Sequence, residues 1–247
     1  MSLAGLHVLN TRPAHQAAAL SAALVAAGAR VSELPLIEIV PLALAPADER
    51  LLLDLDRYDG VIFVSANADR LGLDAVAGCW PQWPHRLPAY AVGDSTAALL
   101  RDAGLTVRVP AQADSEGLLA LPALQQVAGR RFLLLRGEGG RELLPETLRE
   151  RGARVDVIAL YRRALPAAAV AQWQALAAAA PDVVVLTSPD ALRHWLAVAG
   201  AASTGPRWLV VSPRLGAQAQ AAGAHVVLAA AADAGSLVAA LEARAGA

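Results

Sequence analysis

Two short stretches of the sequence repeat one pattern 123 residues apart: Asp59–Ser65 reads DGVIFVS, and Asp182–Ser188 reads DVVVLTS. Each begins with aspartate, contains four consecutive apolar residues and ends with serine. Short apolar runs of this kind predict buried strands of a parallel sheet. The serine after each run predicts the beginning of a helix.

The repetition extends in both directions from these stretches. At an offset of 124, Gly28–Val31 (GARV) recurs as Gly152–Val155, and at an offset of 119, Gly104 matches Gly223. The matches keep the same order along the chain, and their offsets differ only slightly. The sequence therefore predicts two copies of one α/β unit.

Apolar runs and helix-like stretches alternate along both copies. This alternation predicts an α/β fold of two similar lobes, each a parallel sheet flanked by helices, with a cleft between the lobes as the favoured ligand site. The predicted strands are Leu6–Asn10, one extended run Val31–Val40, Gly60–Val64, Pro88–Val92, Thr106–Val109, Phe132–Leu135, Val155–Leu160, Val183–Thr187, Trp208–Val211 and His225–Leu228.

Composition excludes several classes of protein. With 56% hydrophobic residues and a net charge of −1, the 247-residue chain is not of the disordered class. The same charge gives no reason to expect a nucleic acid or a membrane surface as partner. Gln172, Gln174 and Asp233 interrupt or end the two Ala-rich stretches, which are too short for the ~20 apolar residues of a membrane span.

The basic residues and the single cysteine narrow the chemistry further. All 21 basic residues are arginine, which excludes lysine Schiff bases and a phosphate-loop lysine. Cys79 is the only cysteine, so no internal disulfide can form and a reducing compartment is favoured. The first residues show no basic stretch before an apolar core, and we expect a cytoplasmic location.

Polar residues follow the apolar runs at the points where ligands bind open parallel sheets. Two interpretations of these residues are open. They are typical helix N-caps, each stabilising by ~1 kcal/mol, and they also mark helix N-termini that bind carboxylates through free N–H groups. The positions are Thr11-Arg12, Ser65–Asn67, Gly93–Thr96, Arg136-Gly137, Ser188-Pro189 and Ser212-Pro213.

Common catalytic signatures are missing. No G-x-G-x-x-G follows the first strand, Arg136–Gly140 lacks that spacing, and no G-x-S-x-G occurs. The five histidines show no metal-ligand spacing, so we predict no metal site. The histidines and Cys79 are expected to be packed or surface residues.

Taken in order, several motifs resemble the uroporphyrinogen-III synthase family over nearly the whole chain. No single motif is diagnostic. The order of the motifs, together with the tandem duplication and the chain length, makes the resemblance specific. The motifs are Leu9–Pro13 with Gln16, Ser65–Ala68, Ala91–Ala97, Ser115–Leu119, Leu135–Arg141, Tyr161–Arg163 and Leu186–Ser188.

The resemblance implies a discontinuous domain arrangement. Residues 1–37 and 167–247 would form one lobe, residues 47–160 the other, and two extended antiparallel linkers would occupy 38–46 and 161–166. The duplication agrees with this arrangement, because the first part of each copy can dock on the remainder of the other. The repeat pattern alone is equally compatible with unswapped copies.

The resemblance also implies a reaction. The family closes hydroxymethylbilane, a linear tetrapyrrole with eight carboxylates, to uroporphyrinogen III, losing water and inverting ring D through a spiro intermediate. No metal or organic cofactor takes part. The linear substrate closes by itself without inversion, so the enzyme has to select one folded conformation. A transient contact with the preceding pathway enzyme is expected, and the chain is expected to be a monomer.

Residue roles follow from the same resemblance. Tyr161 corresponds to the family's linker tyrosine, which assists departure of the hydroxyl group; packing between the lobes is the alternative role. Ser212–Leu215 stands where some relatives carry a glycine–threonine turn, so Ser212 or Arg214 would substitute for that contact. The expected substrate-binding residues are Ser65, Asn67, Gly93, Thr96, Ser115 and Ser188, with Arg12, Arg136 and Arg141 added for their charge.

Three other functions remain open from the sequence. A two-lobed binding module without catalysis is one, and an isomer assay with hydroxymethylbilane separates it from a synthase. A nucleotide-dependent α/β enzyme is the second, which the absence of a phosphate-loop motif disfavours. A scaffold without ligand is the third.

Overall fold

Strands and helices alternate along residues 2–245, which the computed structural model describes. The strands are β1 (His7–Asn10), β2 (Arg30–Glu33), β3 (Glu38–Pro41), β4 (Gly60–Phe63), β5 (Ala89–Ala91), β6 (Val107–Arg108), β7 (Arg131–Gly137), β8 (Arg154–Ala164), β9 (Val183–Leu186), β10 (Arg207–Val210) and β11 (Val226–Leu228). The helices are α1 (Ala14–Ala26), α2 (Pro46–Leu53), α3 (Ala66–Ala77), α4 (Asp94–Asp102), α5 (Ser115–Ala120), α6 (Leu143–Glu150), α7 (Ala169–Ala177), α8 (Pro189–Ala199), α9 (Pro213–Ala221) and α10 (Ala234–Ala245).

The chain divides into two units, each with its own sheet. The first unit comprises Met1–Glu38 and Arg163–Ala247, and the second comprises Ile39–Arg162. The first sheet has the strand order β11-β10-β9-β1-β2, and the second has the order β3-β8-β7-β4-β5-β6. Neighbouring strands from β11 to β2, and from β8 to β6, run parallel. The predicted α/β class with two parallel sheets flanked by helices is confirmed.

The two sheets pair equivalent residues of the sequence repeat in the same register. Val8 of β1 lies beside Val183 of β9, and Phe132 of β7 lies beside Gly60 of β4. In the sequence repeat, Phe132 corresponds to Val8 at the offset of 124, and Val183 corresponds to Gly60 at the offset of 123. The two pairs are therefore equivalent. Each sheet therefore joins the opening β-α-β segment of one copy to the three later strands of the other copy. The topology resolves the alternative that the repeat pattern left open.

Both faces of the second sheet are buried, as expected for parallel strands covered by helices. Val61 and Phe63 point to one face, into the apolar cluster that α3 and α4 join. Ile62 and Leu134 point to the opposite face, into the cluster that α5 and α6 join. This alternation follows from the two-residue period of a strand. Among residues 2–245, no helix is both long and apolar enough to cross a membrane.

The prediction of one extended run from Val31 to Val40 is wrong. The structure has two strands there, β2 in the first sheet and β3 in the second. Between them, the Leu34 and Leu36 N–H groups donate to the Asn10 and Thr11 carbonyl oxygens at 2.9 and 3.1 Å. Pro35 lies between these two donors and has no N–H group of its own, so the regular strand ends before it.

Candidate functional site

Tyr161 and Ser65 form a pair of hydroxyl groups in the second unit. Tyr161 lies in β8, and Ser65 follows β4 and immediately precedes α3. The phenol oxygen of Tyr161 lies 2.9 Å from the Ser65 Oγ. Because β7 separates β8 from β4, the Tyr161 side chain crosses β7 to reach Ser65. The pair lies at the sheet edge where open parallel sheets bind ligands.

Gly137 makes this crossing possible. The register of β7 and β8 shifts after Arg136, and the shift places Gly137 beside Tyr161. A Cβ atom at Gly137 would lie 2.6 Å from the Tyr161 Cζ and 2.7 Å from its Cε2. Contacts between carbon atoms are attractive only near 3.5–4.0 Å, so any other residue at position 137 would displace the ring.

Ser65 links Tyr161 to the N-terminus of α3. Its Oγ caps the helix by accepting the Ala68 N–H at 3.1 Å. A hydroxyl oxygen has two acceptor lone pairs and one hydrogen, so Ser65 can also accept from Tyr161 and donate its own hydrogen outward. The Tyr161 side chain is 1% exposed, whereas Ser65 is half-buried. Ser65 is thus the accessible end of the pair.

Other predicted residues of the second unit occupy the same edge of its sheet. Gly93 immediately precedes α4, and Asn67 is half-buried in the first turn of α3. Thr96 lies in the first turn of α4 and is only 3% exposed, so its hydroxyl group is buried. Ser115 is the first residue of α5. The N-cap of this helix is Asp114, whose carboxylate accepts the Gly117 N–H at 2.7 Å.

The two arginines of this unit that were predicted to bind substrate differ in their exposure. The Arg136 side chain is 14% exposed and bonds to Glu142 Oε1 at 2.5 Å. It also donates to the Arg141 carbonyl oxygen at 3.1 Å, so Arg136 fixes the loop after β7. The Arg141 side chain is 68% exposed and makes one loose ion pair with Glu116 at 3.8 Å. Of these two arginines, Arg141 is the more accessible.

Three predicted residues lie in the first unit. Ser188 and Ser212 are the N-caps of α8 and α9 and accept the Ala191 and Leu215 N–H groups. Arg12 donates to the Ala232 carbonyl oxygen at 3.0 Å, and its buried Nε lacks a partner among residues 2–245. The N-cap interpretation is therefore confirmed for Ser65, Ser188 and Ser212, and a ligand role stays a prediction.

Asp69, on the buried face of α3, is a candidate residue that is not among those predicted from the sequence. Ser65, Asp69, Gly72 and Val76 recur at the spacing of one helical stripe. Asp69 is 0% exposed, and neither of its carboxylate oxygens has a hydrogen-bond partner within the described part of the chain. Burial raises the pKa of this carboxyl group to about 7. An acidic residue on the helix face that also carries Gly72 and Val76 is the signal that would have identified it.

His7 and His194 are buried, as expected for packed histidines. The His7 Nε2 lies 2.9 Å from the Ser32 Oγ, and the His194 Nδ1 lies 2.6 Å from the Leu36 carbonyl oxygen. Over residues 2–245, no group of three or more His, Cys, Asp or Glu side chains could hold a metal ion.

The sequence of this chain matches the model of a known protein family. A family model described as "Uroporphyrinogen-III synthase HemD" matches residues 18–239, which is most of the chain. The chain belongs to the uroporphyrinogen-III synthase family.

Relatives agree with this assignment. A uroporphyrinogen-III synthase of Escherichia coli (strain K12) is 34% identical over 229 residues, covering 85% of this chain and 89% of the relative. A uroporphyrinogen-III synthase of Proteus mirabilis is 38% identical over 160 residues, covering 64% of this chain and 80% of the relative.

Solved structures of uroporphyrinogen-III synthases share the fold. A mutant enzyme of Thermus thermophilus has a TM-score of 0.68 at 17% identity, covering 98% of this chain and 99% of that one. The Helicobacter pylori 26695 protein has a TM-score of 0.63 at 17% identity with the same coverage of both chains. At these identities the likeness concerns the fold alone.

Proposed function

We propose that this protein converts hydroxymethylbilane to uroporphyrinogen III, with loss of water and inversion of ring D. One observation carries the proposal: a chain of the uroporphyrinogen-III synthase family holds Tyr161 2.9 Å from Ser65 at the ligand-binding edge of its second sheet. The family's reaction needs a proton donor for the departing hydroxyl group and a means of holding a flexible polyanion.

The hydroxyl pair supplies the proton. The phenol hydroxyl of Tyr161 carries a hydrogen that it can donate. Because the Tyr161 ring is buried, the departing hydroxyl group meets Ser65 first. The proton of Ser65 passes to that hydroxyl group while the proton of Tyr161 passes to the Ser65 Oγ.

The proton that the hydroxyl pair donates is returned to it within one turnover. The C–O bond breaks with its electron pair, water leaves, and a cation remains on the bilane while the phenol oxygen becomes negative. Ring closure then releases the α-hydrogen as a proton, which returns along the same path. The positive end of the α3 dipole, at Ser65, favours the transient negative charge.

Each unit offers residues for carboxylate binding. The N-termini of α3 and α4 in the second unit, and of α8 and α9 in the first, present N–H groups suited to anions. The residues proposed for these contacts are Arg12, Ser65, Asn67, Gly93, Thr96, Ser115, Arg136, Arg141, Ser188 and Ser212. Of the arginines, exposed Arg141 is the strongest candidate, because Arg136 is bonded within its loop.

The domain bounds and the cellular setting belong to the same proposal. Residues 1–37 with 167–247 and residues 47–160 form the lobes, and 38–46 and 161–166 link them. The single cysteine supports a cytoplasmic location. The reactivity of hydroxymethylbilane supports transient contact with the enzyme that delivers it. We expect a monomer, which light scattering can test.

An isomer assay tests the proposal. Hydroxymethylbilane is supplied with and without the protein, the products are oxidised to porphyrins, and isomers III and I are separated. We expect isomer III with the protein and isomer I without it. Isomer I alone, formed at the rate of the protein-free control, would contradict the proposal.

A further inference from the structure

We propose that Asp69 is a positioning residue that controls how readily Tyr161 gives up its proton, so that turnover slows when the Asp69 carboxyl group becomes negative. This inference rests on the proposed function and adds a residue that neither the motifs nor the N-caps indicate. Asp69 acts through the Tyr161–Ser65 pair and does not contact the substrate.

Asp69 lies one helical turn after Ser65, the accessible member of the hydroxyl pair. Its N–H group donates to the Ser65 carbonyl oxygen at 3.0 Å. The next position of the stripe, Gly72, packs against Leu135, Phe63 and Leu160. Asp69 therefore lies on α3 between Ser65 and Gly72, and Gly72 contacts Leu160, the residue that precedes Tyr161.

The surroundings of Asp69 supply no compensating charge. The elements most extensively packed against α3 are α4, β7 and β4, and β8 contributes Leu160. None of their charged side chains bonds to the Asp69 carboxyl group, and Arg136 bonds to Glu142 instead. The titratable or charged residues on these elements are Arg131, Arg136, Asp94, Arg101, Asp102, Arg154, Asp156, Tyr161, Arg162 and Arg163.

Ionisation of Asp69 has a defined electrostatic effect. A neutral carboxyl group leaves the positive field of the α3 N-terminus intact at Ser65 and Tyr161. A carboxylate one helical turn away opposes the negative charge that the phenol oxygen develops during proton transfer. Burial raises the pKa of Asp69 to about 7, so this change falls within the range in which the protein can be assayed.

The test compares kcat of four proteins between about pH 6 and pH 9. Asp69→Asn keeps the size of the side chain without a charge, and Asp69→Leu removes the polar group as well. Asp74→Asn, an exposed residue of the same helix, is the matched control. Near-UV circular dichroism at each pH gives the folded fraction, to which kcat is normalised.

We expect normalised kcat of the wild type and of Asp74→Asn to fall about five- to tenfold above pH ~7. Asp69→Asn and Asp69→Leu should keep a nearly flat profile over the same range, and KM should be unchanged in all four. Profiles of Asp69→Asn and wild type that superimpose would overturn the inference while leaving the proposed function intact. A wild type that forms no isomer III at any pH would overturn the proposed function and the inference with it.

Discussion

The Tyr161 hydroxyl oxygen lies 2.9 Å from the Ser65 Oγ, although β8, which holds Tyr161, and β4, which precedes Ser65, are not neighbours in the sheet. The contact exists because Gly137 leaves space for the phenol ring above β7. Three segments far apart in the chain thus create one hydroxyl pair. The pair joins a buried phenol to a half-buried serine at a helix N-terminus.

Gly137→Ala tests this arrangement. The added methyl group would overlap the Tyr161 ring, so the phenol should move away from Ser65. Misplacement of a catalytic group by about 1 Å can cost about a hundredfold, and we expect kcat to fall by about that factor. Gly78→Ala, where an added Cβ makes only an ordinary contact of 3.4 Å, is the control. Equal kcat values for Gly137→Ala and Gly78→Ala would show that turnover does not require the Tyr161 side chain to cross β7.

Tyr161→Phe removes the phenol proton and keeps the ring. Proton donors contribute about 10²–10⁴-fold to catalysis, and Ser65 still presents a hydroxyl group to the substrate. We therefore expect kcat to fall toward the lower end of that range, about a hundredfold, with product binding unchanged. Single-turnover kinetics and product titration measure the two quantities. Unchanged kcat would count against the donor role and favour ordinary packing.

Ser65→Ala and Ser188→Ala separate capping from catalysis. Each variant removes an N-cap hydrogen bond of about 3.1 Å, so both should lose about 1 kcal/mol of unfolding free energy. Only Ser65→Ala should also lower kcat, because Ser65 relays the proton. Ser188→Ala should change KM alone. Urea unfolding and steady-state kinetics test both statements, and equal kcat losses would show that the relay is absent.

Asp69 makes stability depend on pH with a definite sign. Its pKa in the folded protein, about 7, lies above 3.8, the ordinary pKa of an aspartate carboxyl group. The unfolded chain therefore releases the proton first, and stability falls as pH rises from about 4 through about 7. The total loss is about 4 kcal/mol at ~1.36 kcal/mol per unit of pKa difference. Asp69→Asn should be more stable than the wild type at pH ~8 and equally stable near pH ~4.

Urea unfolding at several pH values measures this difference. Asp74→Asn serves again as the control, because its exposed side chain loses little hydration on folding. A wild-type stability that does not decline over this range would show that the Asp69 carboxylate finds a partner on ionisation.

Much of the fold follows from the repeat. The offsets of 124 and 123 between the copies reproduce the observed register at Val8–Val183 and Phe132–Gly60. The serines after β4 and β9 are recognisable as N-caps because capping is local. The exchange of segments between the copies could not be read from the repeat, since either pairing satisfies the same pattern.

The site was less predictable because its key relationships are not local. Gly137 is required only through the register shift that brings Tyr161 beside it, and such a shift leaves no mark in a hydrophobic pattern. Asp69 is visible in the sequence as a polar residue, but its burial depends on strands contributed by distant segments. Arg136 and Arg141 look equivalent in the sequence, and only the loop contacts distinguish them.

The isomer composition formed from hydroxymethylbilane at saturating protein tests the central claim most directly. If this chain directs ring closure through the Tyr161–Ser65 pair, the wild type should yield almost entirely uroporphyrinogen III. Tyr161→Phe should yield a mixture in which spontaneous isomer I rises as enzymatic turnover slows. A wild-type product identical to that of buffer alone, uroporphyrinogen I, would contradict the account.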